Sequence, residues 1–253
     1  MRFASLGSGS KGNATLIEAG ETRLLLDCGF PAREVERRLG LMGVAPESLD
    51  GILVTHEHQD HIRGVGPLAR RYTIPVWITH GTYRQDRCGV LPDLRLIHNH
   101  DEPFDIGCIR VQPYPVPHDA REPVQYIFAR SGRVLGVLTD AGMITPHIQE
   151  VLAGITSLLL EFNHDEVMLA RGPYPPALQR RVGGRLGHLN NDQAATLLEQ
   201  LDHAQLRHLV VAHVSEKNNH PDKVRESILT RLPELASRLT LTCQSEVSPW
   251  FEV

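Results

Sequence analysis

Lysine is nearly missing from this 253-residue chain: Lys11, Lys217 and Lys223 are its only copies, and arginine carries the rest of the positive charge. The formal balance is -4 at neutral pH. No global positive field exists to attract a polyanion, so an anionic partner has to be held by a local patch or by a metal. Cysteine is also scarce. Cys28, Cys88, Cys108 and Cys243 are far apart, with no C-x-x-C, which argues against a disulfide framework or a cysteine-built zinc site and fits a reducing compartment. No apolar run approaches the roughly 20 residues that span a bilayer. The opening M-R-F-A-S-L lacks a basic-then-apolar leader. The expectation is a soluble, cytoplasmic protein with no membrane partner.

What is present is an ordinary globular composition, 41% hydrophobic and 22% charged, long enough to bury a substantial core. The segments R-F-A-S-L, N-A-T-L-I-E-A and T-R-L-L-L-D have the length and glycine boundaries of strands. P-A-R-E-V-E-R-R-L-G-L-M-G has helical spacing with Pro31 at its start. D-G-I-L-V-T and I-P-V-W-I-T flank a second helical stretch. From about Leu94 to Leu138 strand follows strand, and helices and strands alternate afterwards. The pattern predicts an α/β fold in one domain, residues 1–253, made of two halves that meet near residues 115–125.

Histidine is over-supplied, at 14 copies, and it concentrates in V-T-H-E-H-Q-D-H-I-R-G, from Val54 to Gly64. On a strand, residues i and i+2 share a face, so His56 and His58 can address one ion, and a turn immediately after aims Asp60 and His61 at a neighbouring point. Imidazoles and carboxylates together suit zinc, manganese or iron. This is not the helical H-E-x-x-H of zinc proteases, because no histidine follows at i+4. A solvated, histidine-rich turn is the bland alternative. Four potential ligands at the end of one strand weigh against it.

The H-x-H-x-D-H segment resembles the signature of the metallo-β-lactamase superfamily at every specified position. The resemblance implies an αββα four-layer sandwich and a two-metal centre, and it makes further demands that this chain meets in order. His118 lies in Y-P-V-P-H-D, Asp140 in V-L-T-D-A-G and His213 in V-V-A-H-V-S. Carried over, one ion takes His56, His58 and His118, the other takes Asp60, His61 and His213, and Asp140 bridges them. Asp27, in L-L-L-D-C-G, matches a carboxylate that steadies the ligand loop. Four more stretches, G-S-G-S-K-G-N (7–13), E-F-N-H-D (161–165), G-H-L-N-N (187–191) and A-H-V-S-E-K-N-N (212–219), are similar to the YycJ/WalJ-type subgroup of 5′→3′ DNA exonucleases. Asn190 stands where serine is usual. That resemblance implies a phosphodiesterase using two divalent ions, manganese or zinc, to activate a hydroxide. Its substrate would be the 5′ end of single- or double-stranded DNA, in DNA repair, alongside repair-protein partners. Between Asp140 and His213 there is no room for a β-CASP insertion.

Within that frame Asp60 and Asp140 hold metal and orient the nucleophile, and His188 supplies a proton to the departing sugar oxygen or clamps a phosphate. The G-S-G-S-K-G-N loop is not a Walker A motif, but its backbone N–H groups with Ser10, Lys11 and Asn13 suit a terminal phosphate. Arg171, Arg180, Arg181 and Arg185, with Tyr174, form a candidate track along a nucleic-acid backbone; a solvated helix face is the competing reading. His164 and Asp165 are expected to support the pocket without ligating. Two rival functions use the same residues: hydrolysis of a small ester, thioester or cyclic phosphodiester, and a non-catalytic, metal-loaded partner role.

Overall fold

The structure is a computed structural model that describes residues 1–98, 100 and 102–253. The strands are β1 (Arg2–Gly7), β2 (Ala14–Ala19), β3 (Thr22–Leu26), β4 (Gly51–Leu53), β5 (Val76–Thr79), β6 (Leu94–Ile97), β7 (Phe104–Ile106), β8 (Ile109–Pro115), β9 (Val124–Arg130), β10 (Arg133–Leu138), β11 (Ser157–Glu161), β12 (His208–Ala212), β13 (Leu239–Leu241) and β14 (Phe251–Glu252). The helices are α1 (Ala32–Leu41), α2 (Gln59–Ile62), α3 (Val65–Tyr72), α4 (Gln85–Cys88), α5 (Pro146–Val151), α6 (Glu166–Arg171), α7 (Pro176–Val182), α8 (Asn191–Gln200) and α9 (Pro221–Leu229).

One sheet runs β14-β1-β2-β3-β4-β5-β6 and the other β13-β12-β11-β10-β9-β8-β7. Each joins an antiparallel meander to a parallel run: β3 to β6 in the first sheet and β10 to β13 in the second. The parallel strands are short, continuous apolar runs, as expected where helices cover one face and a second sheet the other. Alternation along β3 shows this directly. Leu24 and Leu26 enter the layer between the sheets with Phe3, Leu53, Tyr126, Phe128, Leu159 and Val210, whereas Leu25 faces α1 and α3 through Val35, Leu39 and Leu68. On the outer side of the second sheet, Leu158, Leu160, Leu209 and Val211 pack on Ile148 of α5, Leu197 and Leu198 of α8, and Val224 and Ile228 of α9. The result is the four-layer αββα sandwich.

In the first sheet β6 ends at Ile97, and in the second β7 begins at Phe104. Asn190 caps α8, its side chain accepting from Gln193 N while the Gln193 side chain accepts from Asn190 N. Asparagine caps as well as the serine it replaces, so the departure leaves local structure intact. Among the described residues no helix is long and apolar enough to cross a membrane.

Candidate metal centre

The polar cluster forms where strands end. Asp27 follows β3, His56 and His58 follow β4, His118 follows β8, Asp140 follows β10, Glu161 ends β11 and His213 follows β12. Asp60 and His61 lie in α2, one turn beyond the strand. Three of these residues bend the chain sharply: Asp27, Asp140 and His213 have φ of 58°, 52° and 52°. Left-handed backbone is costly for non-glycine residues and concentrates at functional sites. In both halves the bent aspartate is followed by a glycine that lets backbones touch. A Cβ on Gly29 would lie 1.7 Å from Asp60 O, and one on Gly142 would lie 2.4 Å from Arg185 O. The D-C-G and D-A-G turns thereby press against the ligand loop and the segment leading to His188.

His56, His58 and His118 present nitrogen atoms to one point, and a carboxylate oxygen of Asp60 with nitrogens of His61 and His213 gather at another; Asp140 also groups with His56 and His61. His58 Nδ1 is 3.2 Å from His118 Nε2. Asp60 Oδ2 is 3.5 Å from both His61 Nε2 and His213 Nε2. Asp140 lies between, with Oδ2 3.3 Å from His61 Nε2 and Oδ1 4.0 Å from His118 Nε2. Ligands about 2.0–2.1 Å from a tetrahedral ion sit roughly 3.4 Å apart, close to most of these separations.

The groups behind the imidazoles settle which nitrogen faces inward. The Gly187 carbonyl can only accept, so His118 donates to it from Nδ1 at 3.0 Å and turns a bare Nε2 to the centre. Asp27 accepts from His61 Nδ1 at 2.8 Å, from Thr55 Oγ1 at 2.9 Å and from Thr55 N at 2.9 Å. With its proton given to Asp27, Thr55 Oγ1 accepts from His56 Nδ1 at 2.9 Å, so one carboxylate orients two rings. Glu161, fully buried, does the same in the other half. Its Oε1 accepts from His213 Nδ1 at 3.0 Å and from His188 Nδ1 at 2.7 Å, and its Oε2 from Leu189 N at 3.2 Å.

Three buried atoms in this cluster, His56 Nε2, His213 Nε2 and Asp140 Oδ2, have no hydrogen-bond partner among the described residues. Each such atom costs about 1–3 kcal/mol if nothing answers it, and a cation between them answers all three. Charge points the same way. Burial alone would raise the acids, yet the surrounding imidazoles outweigh it and hold Asp60, Asp140 and Glu161 below the usual carboxylate range, Glu161 at about 2. Burial would lower His213, but Asp140, Asp60 and Glu161 push it up to about 10. Burial prevails at His118, moving it down to about 4, which keeps it in the neutral, ligating form. The residues present therefore fit divalent cations.

The remaining sequence-predicted residues separate into two sets. His188 joins the centre: its ring stacks on His213 at 5.1 Å and meets His118 edge-on at 5.2 Å. Arg181 reaches the rim, paired with Asp119, whose Oδ1 is 3.5 Å from His118 Nε2. Arg171, Arg180 and Arg185 are exposed nearby on α6, on α7 and in the loop after it, and Tyr174 has Lys217 Nζ 5.7 Å above its ring. Asn13 is buried, accepting from Ser8 Oγ and Gly9 N at 2.9 Å each while its Nδ2 lies 3.1 Å from His61 Nε2. It braces the ligand loop and offers little to a substrate. Ser10 and Lys11 are exposed, with Lys11 Nζ 2.6 Å from Glu216 Oε2. Asp165 caps α6 and pairs with Lys223, and His164 is buried without joining the cluster. Sequence reasoning missed Glu161; the available signal was a carboxylate closing the otherwise apolar S-L-L-L-E-F.

Residues 22–214 match the beta-lactamase superfamily domain. The chain is 34% identical over 237 residues to exodeoxyribonuclease YycJ of Bacillus anthracis, covering 92% of this chain and 90% of that one. It is 29% identical over 238 residues to exodeoxyribonuclease WalJ of Streptococcus pneumoniae, covering 92% and 88%. Among solved structures, the metallo-beta-lactamase fold protein YhfI of Bacillus subtilis superposes with a TM-score of 0.75 at 17% identity, covering 98% of this chain and 99% of that one.

Proposed function

The chain belongs to the metallo-β-lactamase superfamily, and from that membership we propose that it is a two-metal phosphodiesterase that shortens DNA from the 5′ end. His56, His58 and His118 would hold one ion, Asp60, His61 and His213 the other, with Asp140 shared. When bound, such a pair supplies a water made acidic enough to attack near neutral pH and positive charge against phosphoryl oxygens. The observation that carries the reading is the convergence of orphaned Nε2 and Oδ2 atoms on one cleft beside a histidine that is not needed as a ligand.

That histidine is His188. Glu161 accepts a hydrogen bond from its Nδ1–H, so a second proton taken up at Nε2 would sit on an imidazolium steadied by that carboxylate and could pass to the departing sugar oxygen, the task for which a carboxylate-backed imidazole is suited. Asp27 and Glu161 fix the rings, Asn13 braces the Asp60–His61 turn, and the narrow D-C-G and D-A-G turns keep these loops at fixed separation. Arg180, Arg181 and Arg185 give this acidic protein a positive rim on which a phosphate backbone can lie. Ser10 and Lys11 stand exposed on the loop between β1 and β2, where release of Lys11 from Glu216 would offer an ammonium to a terminal phosphate. The relatives named as exodeoxyribonucleases, similar over nearly the whole chain, support DNA as substrate. A role in cytoplasmic DNA repair, with repair-protein partners, accords with that activity.

The test is digestion of 5′-labelled and 3′-labelled DNA, single- and double-stranded, with zinc, manganese or magnesium. Early release of the 5′ label as a mononucleotide or short product, lost with chelator, is expected. Release from the 3′ end would reverse the polarity. Intact DNA alongside rapid hydrolysis of a small ester or cyclic phosphodiester would move the activity to small molecules.

A further inference from the structure

Beside the metal centre, α6 and α7 enclose an open cleft of about 670 Å³, within the size range of ligand pockets. Its walls are Leu169 and Ala170 on one side and Gly183 on the other, with His164 at its base and Glu166 and Arg180 at its edges. Two features mark it as more than a surface fold. His164 is only 2% exposed, and the nitrogen on its Gly183 side, the side that lines the cleft, is Nε2. Gly183 has φ -83° and ψ 4°, a conformation open to any L-residue, so the turn does not require glycine. A Cβ there would stand 3.8 Å from His164 Nε2 and 3.2 Å from Leu169 Cδ2. What the missing side chain preserves is open space over an imidazole and an apolar wall.

We propose that this cleft receives the nucleobase of the nucleotide adjoining the scissile phosphate. The proposal rests on the nuclease reading above. A base is flat, apolar on its faces and polar at its edges. Leu169, Ala170 and the bare Gly183 suit the faces, and His164 Nε2 and the Glu166 carboxylate suit the edges. Arg180, at the mouth, suits the phosphate that follows. A free phosphate fits poorly, because it would lie between a carboxylate and an apolar wall with one cation for support. The placement relative to the chemistry is close. His164 follows Glu161 by three residues, its ring lies within the electrostatic reach of Glu161 and His188, and His188 N bonds to Val182 O, next to Gly183, at 2.9 Å.

The experiment compares DNA whose terminal nucleotide carries a base with the same DNA ending in an abasic tetrahydrofuran unit. The comparison uses metal-loaded wild type, Gly183→Leu, which fills the cleft, and the milder Gly183→Ala. Wild type should cleave the base-bearing end with kcat/KM about tenfold higher, the scale of one base-stacking interaction. In Gly183→Leu the ratio should collapse toward one, through KM more than kcat, with Gly183→Ala between; if Gly183→Leu fails to fold, Gly183→Ala carries the comparison. Equal cleavage of the two ends by wild type, or a ratio unchanged by either variant, overturns the pocket and leaves the nuclease reading standing. A wild-type protein that cleaves neither DNA overturns both.

Discussion

Glu161 Oε1 lies 2.7 Å from His188 Nδ1, the carboxylate wholly buried and the imidazole at the cleft surface. The same oxygen holds His213 at 3.0 Å, so one buried acid couples two imidazoles.

Replacing either partner should separate these two roles. His188→Ala should lower kcat by about 10²–10⁴-fold while bound metal, measured by elemental analysis, stays at the wild-type level. Glu161→Gln should lower both kcat and metal affinity, the latter by about 10–100-fold, because His213 loses its orienting charge. Wild-type turnover in His188→Ala would remove the residue from the reaction.

Asp27 makes a parallel case without touching substrate. Asp27→Asn keeps the shape, but its NH2 must face either Thr55 N or the pair of donors His61 Nδ1 and Thr55 Oγ1 that share the other oxygen, and the negative charge is gone. Metal affinity, followed by competition with a chromophoric chelator, should fall about 10–100-fold, and high metal concentration should restore most of kcat. Failure of excess metal to rescue would place the defect in folding.

On the rim, Arg180→Glu and Arg185→Glu should weaken DNA binding and reduce the slope of log K against log salt by about one for each phosphate that is no longer neutralised. Arg181 is a poor probe of the same idea. It pairs with Asp119 beside His118, so a reversed charge there would disturb the metal centre as well. An unchanged slope in both other variants would clear the arginines of a role in binding.

Far from the cleft, Glu34 binds Arg37 and Arg38, and Arg38 in turn reaches the backbone of Leu6 and Gln244. The Arg37 hydrogen bond, helped by Arg38 against a smaller effect of burial, holds the Glu34 carboxyl at about 2. A folded value below the unfolded one contributes stability above the unfolded value, near 4.5, and loses it as pH falls through about 2. Glu34→Gln should cost about 1 kcal/mol at pH 7, and the gap between the two urea midpoints should narrow between pH 4.5 and pH 2. A gap that is constant with pH would mean the ion pair contributes nothing.

Much of the cluster was legible because strand ends are where a sheet sandwich can gather distant residues. His56, His58, Asp60 and His61 advertise themselves by crowding, and Asp140 and His213 each terminate an apolar run. Glu161 was harder to see because it is the last residue of a buried strand, where an acid looks like the start of a loop until its two imidazole partners are in place. The inward turn of Asn13 onto Asp60 and His61 was hidden for the opposite reason: a glycine-serine loop looks exposed. Strands β7, β13 and β14, of two or three residues, carry too little periodicity to be found at all.

The proposed binuclear centre is tested most directly by anomalous scattering from crystals grown with manganese or zinc. Two peaks are expected per chain, one among His56, His58 and His118 and one among Asp60, His61 and His213, with Asp140 touching both. A cleft that stays empty at saturating metal, or ions bound elsewhere while these side chains pair only with each other, would contradict it.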